Sequence, residues 1–192
     1  MKKIQFCCGQ TKLEGWENYD KEIDISKPLN FDNDSIDFIF IEHGIEHIQQ
    51  MSGVDFLKEC YRILKLGGTM RITFPDICKI YNNPLCHNRM AYIEKTHSRI
   101  NINNALKSTM YSWGHKSFWS LETMICALVS ANFYAYVVQS GKSAYKELDK
   151  IESHYKLRSN EKWFSEPTAK MFEDLHTSSV EAVKIYDKND PF

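Results

Sequence analysis

The sequence predicts an α/β protein with a mostly parallel sheet, and residues 36–76 carry the main observations. An apolar strand, Ile36 to Ile41, is followed by a helix over residues 53–65, in which apolar residues recur every three to four positions. A second apolar strand, Thr69 to Phe74, follows the glycine pair Gly67-Gly68. A strand, a helix and a strand within about forty residues form a βαβ unit, whose two strands run parallel.

Four more strands and one more clear helix are predicted from apolar patterning and turn residues. The helix is amphipathic and runs from Ser120 to Ala131, with Asn132 suited to a left-handed stop. Only ten residues separate Gly9 from Asp20, so the first connection is expected to be a loop or a single helical turn. The four strands are Lys3 to Cys8, Glu17 to Asp20, Tyr134 to Gln139 and Ser179 to Ile185.

Length and composition indicate one ordinary globular domain over residues 1–192. Apolar residues make up 43% of the chain and charged residues 26%, which is enough to bury a core without disulfides or structural metal. The net charge of −1 gives no electrostatic footprint for nucleic acid or an anionic membrane. No apolar run reaches the ~20 residues of a membrane span. The amino terminus leads directly into a predicted strand rather than an apolar signal region, so we expect a cytoplasmic protein.

Titratable side chains follow two of the predicted strands directly. Glu42 and His43 come after the strand that begins at Ile36, and Asp76 comes after the strand that begins at Thr69. In open α/β sheets ligands bind beyond the carboxyl ends of the strands, so we expect the site there. Asp76 can bind a substrate hydroxyl or cap a helix that starts at the next residue, and the sequence leaves both roles open.

The segment from His43 to His47 reads H-G-I-E-H and fits the H-x-x-E-H motif of inverted zinc peptidases. That motif requires both histidines on one face of a helix. Gly44 disfavours a helix here, and the segment follows a strand directly. The six cysteines also form no C-x-x-C pair. We therefore expect no metal ion and keep a zinc hydrolase only as an unfavoured alternative.

Several short motifs occur together and in a fixed order. They are FCCG from Phe6 to Gly9, GWENYD from Gly15 to Asp20, DSIDFIFIEHGIEHI from Asp34 to Ile48, LKECYRILKLGGTMRITFPD from Leu57 to Asp76, GHKSFWSLETMICALVSANF from Gly114 to Phe133, and SSVEAVK from Ser178 to Lys184. With them the chain resembles class I S-adenosylmethionine-dependent methyltransferases of the methyltransferase domain 11 type, in a branch of small predicted methyltransferases. The resemblance implies a Rossmann-like, seven-stranded, mostly parallel sheet with helices on both faces and one antiparallel strand.

The resemblance also implies S-adenosylmethionine as cofactor and assigns residues to it. The first loop has a single glycine, and Asp20 lies close to Asp24 in sequence, so the adenine pocket is expected to be shallow, partly open or completed by a second subunit of a homodimer. The implied contacts are Phe6, Cys7, Cys8 and Gly9 in the first loop, Asp20 at the ribose hydroxyls, Asp24 and Ile25 at the adenine, and Glu42 and His43 beside the sulfonium.

The implied activity is methyl transfer to a small-molecule acceptor, with no nucleic-acid or membrane partner. We expect O-methylation of a sugar or small hydroxylated metabolite, because an oxygen nucleophile needs a base and histidine serves near neutral pH. His43 and His115 are the candidate bases, with Asp76 as a further catalytic candidate. Residues 82–118 and 142–176 are long polar connections expected to cover the acceptor. The competing interpretation is a methyltransferase fold used as a non-catalytic binding module.

Overall fold

The protein is built on a mixed sheet with the strand order β2-β1-β3-β4-β6-β5. The structure is a computed structural model that describes residues 1–83, 107, 110, 113–153, 156, 170–171 and 174–186. Within these residues the first four strands are parallel, and β6 runs antiparallel between β4 and β5. The strands are β1 (Lys3–Phe6), β2 (Glu17–Tyr19), β3 (Ile36–Glu42), β4 (Leu64–Pro75), β5 (Tyr134–Val138) and β6 (Thr177–Val183).

The α/β class, the parallel βαβ unit and the antiparallel strand are confirmed, but the expected count of seven strands is wrong for the described residues, which form six. Residues 20–35, between β2 and β3, form turns and bends and add no strand. This segment is too short for another strand and its connections, and it uses its apolar side chains for packing instead. Ile25 and Leu29 are buried in the main core.

One face of the sheet carries the main apolar core. Alternate strand residues such as Ile39, Ile72 and Val180 are fully buried there. They share the core with helix α1 (Gln50–Ile63) and with the later helix Leu121–Ser130. Each such side chain contributes about 1.5–3 kcal/mol relative to exposure. The βαβ unit is therefore held by burial on this face.

Among the described residues, the other face is covered by residues 139–153. Phe38 and Phe40 pack there against Leu148 and Ile151. Residues 139–153 form turns, bends and irregular backbone. Hydrogen bonds to buried polar groups of the sheet fix this segment.

Arg71 is the centre of those buried polar groups. It lies on β4 with 0% of its surface exposed, and its Nε donates to Glu152 Oε1 at 2.7 Å. Its Nη1 donates to Glu181 Oε1 at 2.9 Å and to the carbonyl of Lys142 at 2.8 Å. Its Nη2 donates to the carbonyl of Gln139 at 3.2 Å. Arg71 therefore joins β4, β6 and the covering segment.

The carboxylates around Arg71 have additional donors. Tyr136 donates its hydroxyl to Glu181 Oε2 at 2.8 Å, and the amide of Gly141 donates to Glu152 Oε2 at 3.0 Å. Burial raises the pKa of Tyr136, and the hydrogen bond to Glu181 and the charge of that carboxylate raise the pKa further. Tyr136 therefore stays a neutral donor. A satisfied buried network of this kind fixes one arrangement of its parts.

Glycine at position 44 lets the loops after β1 and β3 touch. A Cβ added to Gly44 would lie 2.7 Å from both Cβ and Sγ of Cys7 and 2.8 Å from Cδ1 of Ile41. Cβ atoms do not approach so closely, and the Cβ of Cys7 cannot move away by side-chain rotation. Cys7 itself has a left-handed backbone with φ 55°.

The described helices and their ends differ little from the sequence pattern. Helix α1 begins three residues earlier than predicted. Helix α2 (Ile77–Asn82) follows β4, and helix α3 (Leu121–Ser130) is capped by Ser120, whose hydroxyl accepts from the amide of Thr123. Asn132 has φ 70°, so the predicted left-handed stop is confirmed. In the part of the chain that is described, no helix is long and apolar enough to cross a membrane.

Replacing Arg71 with Met should lower the free energy of unfolding by about 3–5 kcal/mol, because two buried carboxylates lose their cation. Denaturant unfolding measures the change. Lys58→Met is the matched control, since Lys58 pairs with Asp55 on the surface at 3.0 Å. It should cost less than about 1 kcal/mol. Equal effects of the two substitutions would show that the buried network contributes no more than a surface pair.

Gly44→Ala should lower the free energy of unfolding by about 1–3 kcal/mol, as overpacking does. Adding Cys7→Gly should recover part of the loss, because it removes the nearest clashing atoms and glycine suits the left-handed backbone at position 7. A double-mutant cycle followed by thermal unfolding measures the coupling. Additive losses in the double variant would contradict the proposed contact.

Candidate functional site

The four parallel strands bring the first loop beside Asp20. The amide of Cys8 donates to the carbonyl of Tyr19 at 3.1 Å, and the amide of Gly9 donates to Asp20 Oδ1 at 3.3 Å. Gly9 has φ 49°, and a Cβ added there would meet nothing within 4 Å. The loop therefore presents backbone and a partly exposed carboxylate to open space at the carboxyl edge of the sheet.

The other first-loop residues act mainly as supports. The ring of Phe6 is fully buried and packs edge-to-face on Phe56 at 5.5 Å between centroids, which leaves its backbone for the site. Burial raises the pKa of the Cys7 thiol to about 12, with further contributions from Glu46, Asp20 and Cys8. Burial and the charge of Asp20 likewise raise the pKa of Cys8. Both thiols stay protonated near neutral pH and are poor nucleophiles.

The two residues assigned to adenine have different surroundings. Asp24 is exposed, and its Oδ1 accepts from the amide of Ser26 at 3.0 Å and from its hydroxyl at 2.6 Å. These bonds lower the pKa of Asp24. Ile25 is only 5% exposed and packs in the main core. The assignment of Ile25 to an adenine face therefore competes with an observed packing role.

Glu42 holds the covering segment onto the end of β3. Its side chain is buried, and its Oε1 and Oε2 accept from the amide of Ser153 at 3.2 and 3.0 Å. Glu42 thus fixes the end of residues 139–153 at the carboxyl edge. Its carboxylate is engaged within the protein, so any cofactor contact at this position must share it.

His43 is oriented by a buried carboxylate. It has a left-handed backbone with φ 53°, and its amide donates to the carbonyl of Thr73 at 3.0 Å. Its Nδ1 lies 3.2 Å from Oε1 of Glu46, and its ring centroid lies 6.4 Å from that of His176. The histidine and carboxylate form a dyad just beyond β3.

Glu46 was not predicted as a site residue. It lies in the 3-10 helix Ile45–His47 and is 2% exposed. Burial alone would raise its pKa, but the hydrogen bond and charge of His43, its own amide and His47 lower the pKa of Glu46 below its usual value. Its Oε2 is buried and has no hydrogen-bond partner in the part of the chain that the structure describes. In the sequence, the signal for this contact was that Glu46 follows His43 by three residues. This spacing indicates a contact only when the residues between them are known to form a tight turn.

The loop 113–119 is fastened onto the same turn. The amides of Lys116 and Ser117 donate to the carbonyl of Glu46 at 2.8 and 3.1 Å. The hydroxyl of Ser117 donates to the carbonyl of Ile45 at 3.2 Å, and Trp119 Nε1 donates to that hydroxyl at 3.0 Å. The loop is thereby held over the carboxyl edge of the sheet.

This docking brings His115 to His47. Their ring centroids lie 5.0 Å apart at an interplanar angle of 81°. A ligand atom from each ring and one from Glu46 lie within 4.8 Å of one another. The sequence had paired His47 with His43 in the inverted zinc motif. The structure places His43 in the bend after β3 and His47 in the 3-10 helix, so the two histidines do not share one helix face as that motif requires.

Asp76 acts as a helix cap. It is 2% exposed, and its Oδ1 accepts from the amides of Cys78 at 2.9 Å and Lys79 at 3.3 Å. Its Oδ2 accepts from the hydroxyl of Ser178 at 2.7 Å. Of the two roles that the sequence left open, the structure forms the cap. The catalytic role assigned to Asp76 has no supporting contact in the described residues.

The predicted cover segments are described only in part. Residues 84–106, 108–109, 111–112, 154–155, 157–169 and 172–173 lie outside the described residues. The described residues 113–118 lie at the carboxyl edge through the contacts with Glu46. Residues 142–153 cover the second face and reach Glu42. The expectation that the two segments cover an acceptor stays a prediction.

Residues 12–72 match the model of a methyltransferase domain family, and the match includes Asp20, Glu42 and His43. No curated protein sequence is significantly similar to the chain.

The fold is similar to that of several solved methyltransferases. A methyltransferase from Archaeoglobus fulgidus, described as SAM-dependent, has a TM-score of 0.54 and 14% identity over 95% of this chain and 86% of its own. An S-adenosylmethionine-dependent methyltransferase from Mesorhizobium loti has a TM-score of 0.54 and 12% identity over 95% and 90%. Phosphoethanolamine N-methyltransferase 2 of Haemonchus contortus, solved with S-adenosyl-L-methionine, has a TM-score of 0.53 and 14% identity over 97% of this chain and 50% of its own.

At these identities the structural likeness shows the fold, and the family match covers residues 12–72. The chain therefore has the fold of the class I S-adenosylmethionine-dependent methyltransferases, and residues 12–72 are similar to a methyltransferase domain.

Proposed function

We propose that the protein is an S-adenosylmethionine-dependent methyltransferase that methylates an oxygen of a small hydroxylated acceptor, such as a sugar. The single observation that carries the proposal is the meeting of two features at one sheet edge. The loop of Gly9 and Asp20 offers a cofactor cradle. The dyad of His43 and Glu46 offers an oriented base next to it.

The residues present fit the cofactor in its ribose and methionine parts. Asp20 is partly exposed at the end of β2 and can accept hydrogen bonds from ribose hydroxyls, as an acid does after the second strand of dinucleotide folds. Gly9 leaves open space for close approach to the backbone. Asp24 is exposed and can receive the adenine amine, although its Oδ1 already accepts from Ser26. The family match and the fold support this cofactor.

Gly9 and Asp20 would hold the cofactor, which would supply a methyl group from its cationic sulfur to the acceptor oxygen and would leave as the neutral thioether. The proton of the acceptor hydroxyl passes to His43. With Nδ1 held by Glu46, the proton is taken up at Nε2. Glu46 fixes the ring, and the loop 113–119 reduces the access of water to this edge. Positioning and desolvation are the main protein contributions to such a displacement.

Two observations favour the competing role of a non-catalytic binding module. Ile25 packs in the core, and the Glu42 carboxylate accepts from Ser153, so two expected cofactor contacts are engaged internally. A binding module of this kind would take no methyl group from cofactor to acceptor. Release of S-adenosylhomocysteine with any acceptor separates the two functions.

S-adenosylhomocysteine should raise the melting temperature, because a ligand that binds only the folded state stabilises it, by about 2.7 kcal/mol at one hundred times Kd. Asp20→Ala should weaken binding by roughly 1–3 kcal/mol, since the ribose hydroxyls lose their acceptor. Calorimetric titration measures both.

Asp20→Asn removes the negative charge of this side chain but keeps its hydrogen bond to the first loop. The side-chain oxygen of asparagine can still accept from the backbone amide of Gly9. Asp55→Asn, an exposed carboxylate on α1, is the matched control and should bind normally. Neither heat nor a thermal shift at millimolar S-adenosylhomocysteine would refute the proposed cofactor.

His43→Asn should lower turnover by about 10²–10⁴-fold, the usual contribution of a general base. Asparagine is chosen because it tolerates the left-handed backbone at this position. Turnover is followed by S-adenosylhomocysteine release with a panel of sugar nucleotides and hydroxylated metabolites. The melting temperature without ligand serves as the check on folding, because His43 is also an implied cofactor contact. Unchanged turnover would show that positioning alone suffices.

A further inference from the structure

Three potential metal ligands from distant parts of the chain meet beside the proposed base. Glu46 and His47 belong to the 3-10 helix after β3, and His115 belongs to the loop before α3. One ligand atom from each lies within 4.8 Å of the others. The backbone bonds from Lys116 and Ser117 to Glu46 hold the two segments together, so the meeting is built into the fold.

A second observation points independently to a ligand. Glu46 Oε2 is buried and has no hydrogen-bond partner among the described residues, while Oε1 of the same carboxylate contacts His43. A buried carboxylate oxygen without a partner costs about 1–3 kcal/mol or more. The edge-to-face contact of His47 and His115 supplies this oxygen with no donor. A cation bound by the two rings and by this carboxylate would supply the missing interaction.

The geometry needs only a small adjustment to close around an ion. Ligand atoms about 2.0–2.1 Å from a tetrahedral zinc lie roughly 3.3 Å from one another. The three ligand atoms lie within 4.8 Å of one another. Side-chain rotations that move each atom by about an ångström would bring them to the spacing around an ion. His47 is exposed, and its ring is free of the packing constraints that hold Glu46.

We propose that Glu46, His47 and His115 bind one divalent transition-metal ion of the zinc class. Imidazole nitrogens favour zinc, copper, iron and nickel over magnesium or calcium. Two histidines and one glutamate with an open fourth position form a common set of ligands for zinc. The fourth position is left for water or an acceptor hydroxyl, next to the cleft lined by Glu46, His115 and Phe118. In this site His115 is a ligand rather than a base.

The metal site does not depend on the proposed methyl transfer. The site is inferred from the positions of its three ligands alone. None of these ligands is Gly9 or Asp20, which would hold the cofactor. Metal binding measured without cofactor or acceptor therefore stands or falls separately from the proposed function.

Titration of untagged, EDTA-treated protein with Zn²⁺ by calorimetry tests the site, with Co²⁺ absorption as a second probe. We expect one equivalent to bind. His47→Ala, His115→Ala and Glu46→Gln should each weaken binding at least about tenfold, since even outer-shell partners of metal sites contribute 10–100-fold. His47 is exposed, so its substitution should leave the melting temperature in EDTA unchanged.

The exposed thiols supply the matched control, because thiolates also bind zinc. Cys78→Ser and Cys126→Ser should keep the one equivalent. Absence of Zn²⁺ and Co²⁺ binding in the wild-type protein would overturn the site. Binding that survives all three ligand substitutions, or that is lost in the serine variants, would also overturn it.

Discussion

The buried carboxylate of Glu46 is the constraint on which the candidate site depends. Its Oε1 orients His43, its carbonyl accepts the two amides that fasten the loop 113–119, and its charge contributes to the raised pKa of Cys7. The first loop, the turn after β3 and the loop before α3 therefore meet around one residue, through both its side chain and its backbone carbonyl. The glycine at position 44 permits this closeness, because any larger residue would collide with Cys7.

A second buried group organises the opposite face of the sheet. Arg71 ties β4 and β6 to residues 139–153, and Glu42 fixes the end of that segment at the carboxyl edge. The guanidinium has five donors and reaches acceptors on β6 and on this segment. The described cover of this face is therefore attached by buried hydrogen bonds as well as by apolar packing.

Sequence patterning predicted the elements that local rules determine. The βαβ unit and the stop at Asn132 follow from apolar periodicity and asparagine chemistry, and the antiparallel strand was implied by the family resemblance. The strand count was missed because residues 20–35 form turns and bends instead of a strand. The contacts of residues 139–153 were missed because they join Arg71 and Glu152, which lie far apart in sequence. The position of the site followed from the strand ends, but Glu46 did not, because a carboxylate at the start of a turn has no signature of burial. The meeting of His115 with His47 likewise depends on tertiary docking.

The central claim is that the carboxyl edge of this sheet binds S-adenosylmethionine in position for methyl transfer. A crystal structure of the protein with S-adenosylhomocysteine tests it most directly. The account predicts the ribose at Asp20, the methionine part against Gly9 and the sulfur facing His43. A ligand that lies elsewhere, or a fully ordered protein without ligand at saturating concentration, would contradict it.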